Sequence, residues 1–335
     1  MAKEKDFVPI SLELEVDNDE KEQEEVQQIR QPEVTGYMRL LGIGLMLLGQ
    51  FFMFIQFFMI KILATQGIQV FQIVAIRGAI LVFWNTIIIK ALKLPINLER
   101  SLLPKLFLRG FFGFLGYITY VEANILLKLS EAQSLLLMTP FISAILGRLF
   151  LSEHLQRLQI TAILLSFVGV ITILRPSFLF GNMSQQEQSE SAPLYAYCFP
   201  LLSAFFGSCA FFQIRSLGSR VHFVFPVYSL GIFIVVLAPM LQYVVGGGWK
   251  SMSWGQWGII CVAGTLGWLA QILLSRSLQI EKLAISVSMV FLQVPLSMIA
   301  DSLYFSFHVF GFEIAGALIV FGGLVLLTYS KIKSQ

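Results

Sequence analysis

The strongest constraint on this chain is a succession of apolar runs, each about 20 residues long and most separated by short polar connections. A helix that crosses a bilayer needs about 20 mostly apolar residues. Candidate spans fall at roughly 40–62, 69–91, 106–127, 132–151, 158–175, 194–214, 222–245, 254–275, 284–304 and 309–330. The runs are about twice the length of a membrane-barrel strand, and a helix satisfies its backbone polar groups within the segment. The expectation is an all-α polytopic membrane protein with ten transmembrane helices. Composition agrees: 56% of the residues are hydrophobic and 13% charged, against about 25% charged in soluble domains. That balance excludes an ordinary soluble enzyme, a nucleic-acid binder and a disordered scaffold.

Charge is distributed unevenly along the 335 residues. Residues 1–39 hold 11 acidic and 5 basic side chains, whereas the rest carry a net +9. Such an acidic segment without apolar periodicity cannot bury enough surface to offset its ordering entropy, so it reads as a disordered tail. It lacks the basic-then-apolar pattern of a signal peptide, and the first apolar helix is expected to act as its own insertion signal. With the N-terminus inside, the cytoplasmic loops and C-terminus hold twelve Lys and Arg residues and the opposite loops four. That bias places both termini in the cytoplasm. The sequon Asn182-Met183-Ser184 falls in the polar loop assigned to the other side and makes Asn182 a glycosylation candidate. Cys198, Cys209 and Cys261 lie in apolar stretches without metal-type spacing and read as reduced core residues.

An offset of 154 residues aligns the chain with itself. Residues 50–61, QFFMFIQFFMIK, match 204–215, AFFGSCAFFQIR, so that Phe51, Phe52, Phe57, Phe58 and Ile60 recur and Lys61 meets Arg215. Lys128 meets Lys282, and one further residue of slip brings Pro140 onto Pro295. The predicted organisation is an acidic tail (1–39), a first five-helix repeat (40–175), a polar non-cytoplasmic loop (176–193), a second repeat (194–330) and a short cytoplasmic C-terminus (331–335). Five is odd, so the second repeat enters the membrane from the opposite side. In secondary transporters this inverted relation places the substrate site near the midplane between the repeats.

The segment 108–155 opens its helix with Arg109-Gly110, runs through Gly116-Tyr117, carries Ala123 and Pro140, and closes on Leu151-Ser152-Glu153. In these features it resembles the third and fourth helices of EamA-type proteins of the drug/metabolite transporter superfamily. Among their branches the chain looks most like the G-type members of solute carrier family 35. The second half departs from the pattern: His308 stands at the position of Glu153, and no Leu-x-Glu follows Pro295. The resemblance implies transport of a metabolite without naming the solute.

An ionisable residue inside a span costs about 2.5–3.5 kcal/mol on insertion scales and is a functional hypothesis by default. Arg77 falls roughly 4–5 Å from the midplane of the second span and Glu122 about 9 Å outward on the third, at 1.5 Å per residue. The two read either as a structural pair or as part of a site in which Arg77 holds an anionic or carboxylate-bearing solute. Arg109, nearer the cytoplasmic end, is expected to snorkel. Gly113, Tyr117, Tyr120 and Asn124 share one helical face, as do Gly264, Trp268, Gln271 and Ser275, and Ser286, Gln293, Ser297 and Asp301 form a polar stripe. The expected substrate-binding set is Arg77, Tyr117, Tyr120, Asn124, Trp268, Gln271 and Gln293. Glu122 and Asp301 take structural or coupling roles. Gln50 and Gln56 are six residues apart and cannot both face the cavity, and the Phe51, Phe52, Phe57 and Phe58 rings read as lipid-facing or packing bulk.

No HExxH, GxSxG, P-loop or CxxC pattern occurs, so neither an enzyme nor a cofactor or metal site is expected. The expected partners are a small-molecule solute and the lipid bilayer, with no nucleic acid. The functional expectation is alternating-access transport of a small polar or amphipathic metabolite. The alternative is a non-transporting membrane regulator or scaffold that recruits partners through its acidic tail. Nothing in the sequence specifies oligomeric state or separates plasma membrane from endomembrane.

Overall fold

The computed structural model describes residues 36–95, 97–127, 129–153, 156–174, 193–244, 248–304 and 311–333. Residues 1–35 of the acidic tail, Asn182 with most of its loop, His154 and His308 lie outside these, while residues 36–39, expected in the tail, are helical. Among the described residues there is no strand. The helices are α1 (Gly36–Thr65), α2 (Val70–Ala91), α3 (Leu103–Leu126), α4 (Leu129–Leu136), α5 (Met138–Phe150), α6 (Arg157–Leu174), α7 (Cys198–Leu217), α8 (Val224–Val244), α9 (Trp254–Ile280), α10 (Leu283–Ser288), α11 (Gln293–Leu303) and α12 (Gly311–Lys333). Their ends follow local chemistry. Proline sits in the first turn of α3, where its missing N–H costs nothing. A capping box between Ser253 and Gln256 starts α9.

Two of the expected spans are interrupted. The run 132–151 breaks at Leu137 between α4 and α5, and 284–304 passes through a 3-10 turn, Met289–Leu292, between α10 and α11. The cause is covalent. Pro140 and Pro295 are each the third residue of the restarting helix, and neither can donate to the carbonyl four residues back. Six described stretches are long and apolar enough to cross a membrane: Leu41–Thr65, Val70–Ala91, Tyr195–Arg220, Val224–Val244, Trp254–Ile280 and Leu283–Leu303. Met138–Phe150, Arg157–Gly169 and Ile314–Gly323 are shorter apolar helices. The α3 helix has 24 residues but carries Arg109 and Glu122.

Packing joins the two parts of the chain rather than separating them. The α1 helix runs along α9, α3 along α7, α2 along α8, and α6 along α12. Each pair thus combines a helix before residue 175 with one after residue 193. Small residues permit the closest crossings. A Cβ on Gly169 would lie 2.7 Å from the carbonyl oxygen of Gly316, and one on Gly264 would lie 2.5 Å from Ile80. The central core draws on α1, α2, α3, α8, α9 and the α10–α11 segment, including Met46, Ile73, Leu81, Val121, Ile234, Leu274 and Phe291.

Outward-facing side chains are apolar: Phe83, Phe107, Leu149, Val236 and Leu318 are all exposed. A soluble monomer does not carry such a continuous apolar exterior. Where α8 ends and α9 begins, Tyr243, Trp249, Trp254 and Trp257 are exposed together, as expected of aromatic rings at a membrane–water interface. The chain is a multi-pass integral membrane protein.

Candidate functional site

A cavity of about 90 Å³ lies between α1, α3, α7, α9 and α11. Four of the seven expected binding residues, Tyr117, Tyr120, Gln271 and Gln293, line it. Helical periodicity brings Gly113, Gly116, Tyr117 and Tyr120 to one side of α3, and the restart of the chain at Pro295 sets Gln293 against Gln50 of α1. Gln293 Nε2 donates to Gln50 Oε1 across that gap. The Tyr120 ring stands edge-on to Phe57, with centroids 4.3 Å apart. Its hydroxyl is buried without a hydrogen-bond partner among the described residues.

Arg109 does not snorkel. Its side chain is 1% exposed, turns into the cavity, and donates from Nη2 to Gln271 Oε1 at 3.0 Å. Gly113 makes this possible, since a Cβ there would sit 2.1 Å from Arg109 Nη1. Arg77 is 0% exposed and lies behind the cavity wall, its guanidinium carbon 3.9 Å from the centroid of the Tyr117 ring. That is cation–π geometry. The Tyr117 hydroxyl accepts from Gln56 Nε2 at 2.9 Å, so Gln50 faces the cavity and Gln56 braces its wall.

Arg77 and Glu122 do not pair. All three guanidinium nitrogens of Arg77 lack a hydrogen-bond partner, and Glu122 is only half-buried. Asn124 and Trp268 also stand away from the cavity. The Asn124 amide donates to its own helix, at Tyr120 O, 2.7 Å. Trp268 stacks on Trp84 at 5.4 Å and donates from its indole nitrogen to Asn85 Oδ1 at 3.4 Å.

Charged clusters lie at the two ends of the bundle. At one end Asp301 Oδ1 accepts from the Leu129 N–H at 3.2 Å and stands 4.0 Å from Lys61 Nζ, which also donates to Leu127 O at 3.0 Å. At the other, Glu153 Oε2 accepts from the Leu283 N–H at 2.8 Å. Its Oε1 lies 2.6 Å from Arg215 Nε, and Arg215 Nη1 donates to Gln279 O at 3.1 Å. Leu129 opens and Glu153 follows the α4–α5 segment, while Leu283 opens and Asp301 nearly closes the α10–α11 segment, which sets the clusters at opposite ends of both. The cations and the capped N-termini correspond, since Arg215 follows Lys61 and Leu283 follows Leu129 by the same 154 residues, whereas the carboxylates do not: Glu153 falls on Phe307 and Asp301 on Gly147. Each carboxylate caps a helix N-terminus in the other part of the chain, where the dipole favours negative charge.

Sequence reasoning missed Arg109, Phe57 and the Glu153 cluster. Glu153, which follows the fourth predicted span, reaches back into the bundle. The available signal was the recurrence of a cation at Lys61 and Arg215. Among the described residues no three His, Cys, Asp or Glu side chains are grouped to hold a metal ion.

Residues 40–175 match the EamA-like transporter family. The chain is 29% identical over 212 residues to a probable transport protein of Saccharomyces cerevisiae, covering 60% of each. It is 26% identical over 269 residues to the pseudopaline exporter CntI of Pseudomonas aeruginosa, covering 79% of this chain and 86% of that one. It is 25% identical over 217 residues to solute carrier family 35 member G1 of Homo sapiens, covering 64% and 59%. The chain thus spans about three fifths of the yeast and human relatives. One crystal structure shares the fold with a TM-score of 0.62 at 15% identity, over 84% of this chain and 98% of its own. Over residues 40–175 the chain is similar to the EamA-like transporter family, and as a whole it resembles the EamA-type drug/metabolite transporters that include the G-type members of solute carrier family 35.

Proposed function

We propose that this protein transports a small polar or amphipathic metabolite by alternating access, with ten spans in two inverted repeats, both termini cytoplasmic, and the solute bound in the cavity between the repeats. The observation that carries this reading is the pair of end clusters. Each has a cation at the end of the first helix of its repeat. Each has a carboxylate from the opposite repeat on the N-terminus of the fourth span. An inverted two-fold relation exchanges two such clusters, so a state with one open and the other closed has a near-equivalent partner with the roles reversed. Both clusters are formed in this structure.

The relatives support the same reading, since those named include an exporter and a solute carrier. The bias of Lys and Arg toward one set of loops supports the orientation. The test is counterflow. Purified protein in liposomes, preloaded with each member of a broad metabolite panel, should take up labelled solute faster when the same solute is on the far side. A protein of intact melting temperature that exchanges no member of the panel overturns the transport reading and leaves the scaffold alternative.

A further inference from the structure

We infer that the solute is a small organic anion whose carboxylate or phosphate group binds Arg109 at the cavity wall, with an apolar body lying against α1 and α9. The inference rests on the transport reading and narrows it to a class of substrate. It starts from an imbalance of charge. Arg77 and Arg109 are both buried within the bundle, and a guanidinium stays protonated under any condition met in a protein. Buried charges are normally paired with an opposite charge. Here the charged groups known to be paired sit elsewhere: Asp301 is engaged with Lys61, and Glu153 with Arg215, at the two ends.

Arg109 has one neutral acceptor, Gln271 Oε1, and its Nε is buried without a partner. Nothing among the described residues hydrogen-bonds the guanidinium of Arg77. The two cations therefore raise a positive potential in a cavity of low polarity, where a Coulomb interaction is several times stronger than in water. Geometry separates their roles. Arg109 lines the cavity and offers donors to a bound group, in the forked pattern that suits carboxylate and phosphate. Arg77 lies behind the Tyr117 ring and contributes field rather than contact.

The rest of the wall defines the body of the molecule. Met53, Phe57, Leu230, Leu274 and Val290 make most of it apolar, and the Gln50–Gln293 pair sets a second polar point across the cavity from α1 to α11. A rigid, compact anion with one charged group meets these demands. A cation does not, because among the described residues no carboxylate lines the cavity. An anionic lipid headgroup is a second source of the same chemistry, and added anionic lipid separates it from a soluble anion.

An isosteric series tests this directly. The full chain in neutral detergent is melted with benzoate, benzamide and benzylamine, which share one ring and differ in charge. Benzoate should raise the melting temperature at millimolar concentration and the other two should not. Arg109→Gln should weaken the benzoate effect by roughly tenfold to a hundredfold, the worth of a charge-assisted hydrogen bond. Because Arg109→Gln could fail to fold, Gln271→Glu is the second variant. It supplies the missing carboxylate from within the protein, so the ligand-free melting temperature should hold or rise while the benzoate shift disappears. Equal stabilisation by benzamide or benzylamine overturns the inference, as does a benzoate shift that survives Gln271→Glu.

Counterflow in liposomes of pure phosphatidylcholine separates the two readings. Exchange of benzylamine or benzamide with benzoate inert leaves the transporter and removes the anion. Benzoate binding lost with Arg109→Gln but without exchange keeps the anion site and removes transport. Loss of all benzoate stabilisation when anionic lipid is added to the detergent micelles assigns the site to a headgroup and overturns the soluble anion.

Discussion

Replacing Glu153 by Gln weakens one end of the bundle without emptying it. The amide keeps an acceptor for the Leu283 N–H, now 2.8 Å from Oε2, but loses the charge that faces Arg215 Nε at 2.6 Å. A hydrogen bond to a charged group contributes about 1.5–3 kcal/mol. The Arg215 side chain is 23% exposed, and solvent screening lowers this to about 1–2 kcal/mol. At 1.4 kcal/mol per factor of ten, the closed population at that end should fall relative to the open one by roughly fivefold to thirtyfold. Ser286 reports on this. It lies in the first turn of α10 just past Leu283, fully buried, with its hydroxyl 2.6 Å from that of Ser277. In a background in which Cys198, Cys209 and Cys261 are Ser, a Ser286→Cys reporter in detergent should react with a polar maleimide about fivefold to thirtyfold faster when Glu153→Gln is added. Asp301→Asn, which weakens the opposite end, should slow the same reaction. If both carboxylate variants accelerate labelling alike, the protein is merely loosened and the idea of two opposed gates is wrong. An unchanged rate in both refutes it as well.

Gly169→Ala should lower stability by about 1–3 kcal/mol through overpacking, because its Cβ would meet the Gly316 carbonyl at 2.7 Å. Gly322→Ala, where a Cβ meets nothing within 4 Å, is the control and should leave the melting temperature unchanged or raised. Tyr117→Phe keeps the ring over Arg77 but strands the buried Gln56 amide now bonded at 2.9 Å. It should cost about 1–3 kcal/mol, and an unchanged denaturation midpoint would remove that bond from the account of the wall. Single cysteines at Ser184 and Ser334 in intact cells should react from opposite faces of the membrane. Labelling of both from one face contradicts the ten-span arrangement.

Among the residues that entered the site on periodicity alone, a shared helical face was not enough, because position along the helix also decides which side chains reach the cavity. Tyr117, Tyr120 and Gln271 meet in the cavity, whereas Asn124, one turn further along α3, folds back on its own backbone. Trp268 illustrates the other failure. Its indole finds a stacking partner in Trp84 and an acceptor in Asn85, both on α2, and no pattern within α9 could announce which helix would lie beside it. Depth arithmetic ranked Arg77 above Arg109, but depth says nothing of direction around the helix. Arg109 turns inward because Gly113, four residues on, leaves the space its guanidinium fills.

Membrane residence and helical class were legible from the sequence, because run length and low charge follow from bilayer thickness and from the cost of unpaired backbone in lipid. The 154-residue self-match was equally plain, and so were the prolines that interrupt α4–α5 and α10–α11, although their effect on the helices was not anticipated. These are properties of one segment, or of two segments compared with each other. Tertiary structure alone decided that Arg77 and Glu122 would stand apart, that Glu153 and Asp301 would each cap a helix in the other part of the chain, and that two guanidinium groups would converge beside one cavity. Each of those depends on which helices become neighbours and how each is rotated. In an apolar solvent that choice is made by close packing of small residues and by a few polar bonds, neither of which leaves a periodic trace in a single chain.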